Sequence, residues 1–165
     1  IEVLSLLSNK KFDDGRPLEK VLLDIKESNA LPVIAWGFGK WLGKRGNIVK
    51  DTILHAESND FFLGENFGRP RTLPEPSQYK LARKKGIPML RGTDPLPIMF
   101  QEKNVGSFGN IILEDLDEDF PGQCIMEFLQ SKKNNMKPYG HRIGLIGFGL
   151  NQYRLMARDR CKPKA

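Results

Sequence analysis

Short apolar runs alternate along this chain with amphipathic stretches. Ile1–Leu7, Leu31–Trp36, Asp60–Leu63, Ile87–Leu90 and Val105–Glu114 have the length and the branched or aromatic content of strands. Between them the period changes to that of a helix. Pro17 suits a first helical position; Leu18, Val21, Leu22 and Ile25 then fall on one stripe, and Ser28-Asn29 ends it. Asn47 is the expected cap of a second helix with Val49, Ile53 and Ala56 inward. A third spans Glu75–Lys85, with Tyr79, Leu81 and Ala82 apolar and Gly86 as its stop. Pro121 opens a fourth with Ile125, Phe128 and Leu129 inward, and Leu150–Arg158 forms the last. Lys132–Tyr139, polar and containing proline, reads as a loop. Strands alternating with helices predict an α/β domain with parallel pairing and right-handed crossovers.

The 165 residues suit a single domain over 1–165, and Ile1 opens the chain already in strand character, so an amino-terminal portion is expected upstream. Hydrophobic content of 39% and charged content of 28% fit a soluble globular protein. The sequence has no apolar run of membrane-spanning length and no secretory signal pattern, so the expected location is the cytoplasm. Cys124 and Cys161 match no metal motif and read as reduced thiols.

Charge narrows the partners. The net charge is +6, which favours phosphate esters or nucleic acid, and much of it sits in Lys40–Arg45 and in the tail from Arg154 to Lys164. Gly37, Gly39, Gly43 and Gly46 interleave with Lys40, Lys44 and Arg45 between a strand and a helix, where backbone amides can approach an anion. The spacing is neither a Walker A motif nor a dinucleotide fingerprint, and a solvated basic loop is the competing reading. Trp36, Phe38 and Trp41 either stack on bases or pack beneath the loop.

The other informative stretch is Ile87–Pro97, where a short strand breaks at Gly92 and delivers Thr93 and Asp94. In parallel α/β folds, ligands meet the carboxyl ends of strands, although Asp and Pro are also common turn residues. Glu65 and Asp94 are the carboxylates at predicted strand ends; with Asn66, Arg69, Arg91 and Thr93 they make a candidate polar cleft. His55 and His141 stand isolated in the sequence and form no evident zinc motif or catalytic triad.

Ile34-Ala35-Trp36-Gly37, Phe62-Leu63-Gly64-Glu65-Asn66, Arg91-Gly92-Thr93-Asp94-Pro95-Leu96 and Val105-Gly106-Ser107-Phe108-Gly109 follow one another in a telling order. Over Trp36–Gly106 the chain resembles the carboxyl-terminal half of the PHP (polymerase and histidinol phosphatase) family of phosphoesterases. It is most similar to bacterial members with a tail like Pro138-Tyr139-Gly140 and Asn151-Gln152. The resemblance implies part or most of a distorted seven-stranded, mainly parallel β/α barrel. It also implies a site at the strand ends, where active members bind two or three metals that activate water for phosphoester hydrolysis. Asp94 matches an acidic metal ligand of that family, whereas Leu96 and Trp36 stand where it has histidines, and its HxH motif is absent. The implied site therefore holds a divalent metal weakly or not at all. Its ligand-binding candidates are Trp36, Lys40, Glu65, Asn66, Arg69, Arg91, Thr93 and Asp94. The expected function is binding of a small anionic or phosphorylated ligand in a diverged phosphoesterase cleft. The alternatives are an active metal-dependent phosphoesterase with its main ligands upstream of Ile1, and a nucleic-acid-binding module.

Overall fold

The apolar run at the start of the chain forms β1 (Glu2–Leu6), which pairs antiparallel with β2 (Leu31–Ala35), Glu2 opposite Ala35 and Leu6 opposite Leu31. β3 (Phe62–Asn66) and β4 (Met89–Gly92) continue the sheet in parallel, in the order β1-β2-β3-β4. β5 (Phe108–Ile112) and β6 (Met136–Gly140) form a separate antiparallel pair. This computed structural model describes residues 1–131 and 135–160. Cys161, Lys162 and Lys164 of the basic tail, and 132–134 of the expected polar loop, lie outside the described residues.

The expected seven-stranded, mainly parallel barrel is overturned: among the described residues the strands make a four-stranded mixed sheet and a two-stranded one, and no barrel closes. The connection between β1 and the first helix supplies the reason. Its residues Phe12–Pro17 line a cavity with Ile1 and Val3, so the chain leaves the far end of β1 and returns to the end where β1 began. The helix α1 (Leu18–Glu27) then leads into β2, and the long return leaves β1 antiparallel. A short link would have forced the parallel crossover read from the alternation of elements. β6 was read as a loop because of Pro138. In a two-stranded sheet each strand has an unpaired edge, where proline costs no ladder bond.

Three helices cover one face of the large sheet: α1, α2 (Gly43–His55) and α3 (Ser77–Lys84). Leu18 and Leu22, Val49 and Ile53, and Tyr79 and Ala82 project from them onto Ile34, Leu63 and Ile87. α2 begins at Gly43, about a turn before the cap expected at Asn47. The other face is covered at one end by α4 (Pro121–Gln130), whose Phe128 and Leu129 pack with Leu31, Val33 and Phe62, and by Ile112 and Met136 of the two-stranded sheet. α5 (Leu145–Arg160) closes the described chain. No described helix is long and apolar enough to cross a membrane.

Two shifts of boundary matter for the site. β3 runs on through Glu65 and Asn66, which the sequence placed in a flexible loop, and β4 extends to Gly92. Both pairs are thereby held in strand geometry, with Glu65 opposite Arg91 and Asn66 opposite Gly92.

Close packing around α2 yields a paired prediction. A Cβ built on Gly46 lies 2.2 Å from the Trp41 carbonyl oxygen, whereas one on Gly122 in α4 meets nothing within 4 Å. In chemical denaturation, Gly122→Ala is expected to stabilise by about 0.5–1 kcal/mol through helix propensity. Gly46→Ala is expected to destabilise by ~1–3 kcal/mol despite the same propensity gain.

Candidate functional site

Successive side chains on a strand point to opposite faces. At the end of β3 this rule starts Glu65 and Asn66 toward opposite faces, although both reach one cavity. Asn66 uses its amide Nδ2 to donate to the Trp36 carbonyl oxygen and to Asp94 Oδ2, each at 3.1 Å. These residues border a cavity of about 280 Å3 whose floor is apolar, built by Leu4, Leu6, Val33 and Leu90; Glu65 and Arg91 reach its rim. Gly64 leaves the floor open and packs tightly on β2, where a Cβ would sit 3.3 Å from both Ala35 Cα and Val33 Cγ1.

Glu65 makes its polar contacts with arginines and is 4% exposed. Its Oε1 accepts from Arg69 Nε at 3.1 Å and also from Arg69 Nη2, while Oε2 accepts from Arg91 Nε at 2.9 Å. Arg142 Nε stands 3.8 Å from Oε1. Arg69 is equally buried, also donates to the Leu73 carbonyl, and lies 5.7 Å from the centre of the Tyr79 ring. Burial by itself would raise the Glu65 pKa; the hydrogen bonds and charges of Arg69 and Arg91 outweigh it and hold the carboxyl below its ordinary 4.5. Burial, and after it the Glu65 charge, push the Tyr79 hydroxyl upward, so it remains a donor, to the Gly64 carbonyl at 2.8 Å.

Backbone contacts bring the distant arginine into place. Ile143 N donates to the Phe67 carbonyl and Arg71 N to the Ile143 carbonyl, both at 3.0 Å. These two bonds fasten the segment after β6 to the loop after β3. Gly140, at φ 76°, packs closely against the start of β5 just before this segment: a Cβ there would lie 2.0 Å from the Ser107 carbonyl oxygen. The result is a cavity of about 450 Å3 walled by Arg69, Arg71, Arg91, His141 and Arg142, with Glu65 and Glu75 as its acids. Four arginines against two glutamates leave an excess of two positive charges, and Glu75 is already held by Arg83 through two 2.5 Å hydrogen bonds. Arg142 Nη1 is buried without a partner, and among the described residues the Arg71 side chain makes no hydrogen bond or ion pair. Burial, reinforced by the neighbouring Arg69 charge, lowers the Arg142 pKa.

Of the eight predicted residues, Trp36, Glu65, Asn66, Arg91 and Asp94 line the apolar cavity together; Glu65 and Arg91 also line the arginine cavity, with Arg69, and Thr93 lines neither. Lys40 pairs with Glu2 on β1, and the flanking Trp36 and Trp41 rings are buried. Sequence reasoning missed Arg71, His141 and Arg142. Arg71 was within reach, two residues from Arg69 across Pro70, but nothing local marks Arg142.

The donor set does not suit a divalent cation. Both Glu65 oxygens are occupied by guanidinium groups, Asp94 faces the Asn66 amide, and His55 is hydrogen-bonded to the Asp51 carbonyl. Among the described residues no three His, Cys, Asp or Glu side chains converge as a metal-binding group. The chain matches no protein-family model, no curated protein and no solved structure.

Glu65 generates a stability prediction with a defined sign. Its folded-state pKa is depressed, so its stabilisation is fully present above the unfolded value near 4.5 and is lost as pH falls through the lower folded value. Glu65→Gln is expected to cost about 3–5 kcal/mol at neutral pH, because it strands buried guanidinium groups. In urea denaturation the variant should also lose part of the wild-type drop in stability below that pH. Equal stability of the two proteins at neutral pH would contradict the buried-pair assignment.

Proposed function

We propose that this protein binds a small anionic ligand, a phosphate ester or a compound of similar charge, in the cavity walled by Arg71, Arg91, His141 and Arg142. One observation carries the reading: among the described residues the Arg71 side chain has no partner, Arg142 meets Glu65 only at 3.8 Å and keeps a buried Nη1 without an acceptor, and the wall has a net positive charge. Arginine offers a planar fork of donors that matches the oxygens of phosphate or carboxylate. The low exposure of Glu65 and Arg69 strengthens the field felt at the cavity, since less water screens it. Lowered proton affinity at Arg142 points the same way, because a bound anion would relieve the crowding of cations.

The roles follow from position. Glu65 fixes Arg69 and Arg91 and neutralises part of their charge. Arg142 and Arg71 supply the recognition donors, and His141 contributes a further polar edge at the wall. No covalent chemistry is assigned to this arrangement.

Calorimetric titration with inorganic phosphate, pyrophosphate and a sugar phosphate tests the proposal. Saturable binding of at least one is expected, weakened ~10- to 100-fold by Arg142→Gln, the loss of a charge-assisted hydrogen bond. Lys40→Gln, which removes a cation engaged with Glu2 away from the arginine cavity, should leave the affinity unchanged. No binding, or binding indifferent to Arg142→Gln and Arg71→Gln, would overturn it. So would a preference for single-stranded oligonucleotides with steep salt dependence that ignores those two substitutions.

A further inference from the structure

α5 has two dissimilar faces. On one, Phe148 meets the Phe38 ring at 5.0 Å between centroids, and Asn151 accepts from Gln101 Nε2 at 3.1 Å, which fastens the helix to the body. On the other, Ile146, Leu150 and Tyr153 are 89%, 47% and 70% exposed. Their spacing of four and three residues makes a continuous outward stripe. Beside it runs a groove of about 360 Å3 whose apolar walls include Met99, Phe100, Tyr153 and Ala157. Arg154 and Arg158 edge this groove; Arg158 Nη1 donates to the Pro97 carbonyl at 2.6 Å, whereas Arg154 has no acceptor among the described residues.

Elsewhere the same chain carries the complement. The loop from Leu113 to Phe120 holds five carboxylates, at Glu114, Asp115, Asp117, Glu118 and Asp119, and no ion pair engages any of them among the described residues. Asp117 Oδ1 accepts only from the Asp119 amide, and Phe120 stands out 64% exposed at the start of α4. An apolar ring flanked by unpaired acids therefore faces outward on one part of the molecule. An apolar groove flanked by arginines opens on another.

We infer that two copies of this chain associate head to tail, with Phe120 of one copy entering the α5 groove of the next and its acidic loop facing Arg154 and Arg158. Charge decides between this arrangement and a two-fold pairing of α5 with itself: another α5 brings further arginines to the groove, while the loop brings carboxylates. Such an interface is heterologous, so each added copy exposes a fresh groove and a fresh loop, and association continues into a ring or an open chain. The contact is small and ion-assisted, which makes it weak and salt-sensitive.

Sedimentation velocity over a concentration series tests this independently of any anion bound by Arg71 and Arg142. The wild-type mass is expected to rise with concentration at low ionic strength and to return to the monomer's in high salt. Phe120→Ser and Arg154→Glu, both at outward positions, should each remain monomeric with unchanged circular dichroism and thermal melting. Mixed in equal amounts they should form a one-to-one dimer that grows no further, because one variant keeps its groove and the other its loop. A wild type that stays monomeric, a Phe120→Ser variant that associates like the wild type, or a mixture that stays monomeric would overturn the inference.

Discussion

A carboxylate held out of water at the end of a strand is the constraint around which this site is arranged. Taking an ion such as Glu65 out of water costs several kcal/mol unless charge partners and hydrogen bonds replace its hydration. Arg69 and Arg91 do so, one from the loop that follows β3 and one from the neighbouring strand. Because Arg69 is as buried as its partner, that loop cannot swing free without exposing a charge pair, and Arg69 Nη1 bonded to the Leu73 carbonyl tightens it further. Tyr79 joins the same assembly from α3, through its hydroxyl on the Gly64 carbonyl and its ring against Arg69. A single acidic residue thus ties a strand, a loop and a helix to one point.

Arg142 then arrives as a third guanidinium around one carboxylate. It stands 3.8 Å from Glu65 Oε1, beyond hydrogen-bond distance, and its Nη1 is buried without an acceptor. An excess of cations at a cavity wall is a standing demand for an anion, and this step leads from packing to binding. On the opposite face of β3, Asn66 Nδ2 is satisfied by Trp36 and Asp94 over an apolar floor, while Asn66 Oδ1 is buried without a partner and no cationic side chain crowds it.

Much of the local structure was legible in the chain. Among the described residues, five of the six strands and all five α-helices follow from apolar periodicity, since each buries a face whose spacing shows in the residues. Direction was legible only in part: β2, β3 and β4 pair parallel as the alternation of elements predicts, whereas β1 pairs antiparallel through a return of the chain along the sheet that no local pattern encodes. β6 was hidden by Pro138, which only an edge strand tolerates. At the site, Glu65, Arg69 and Arg91 were singled out from charge at strand ends. Their separation from Asn66 and Asp94 needed the extra residues of β3, because alternation acts only inside a strand. Arg142 was beyond reach: two backbone bonds between loops bring its segment beside the loop after β3, and they leave no signature in spacing.

Nitrogen-detected or proton-detected NMR of the arginine Nε–H groups, followed as inorganic phosphate is added, tests the central claim most directly. Each guanidinium reports its own hydrogen-bond partner, so committed and uncommitted arginines separate in one spectrum. The Arg71 and Arg142 signals are expected to shift together and saturably, while Arg69, locked on Glu65, moves little. Signals of Arg71 and Arg142 that stay fixed through the titration would contradict the account.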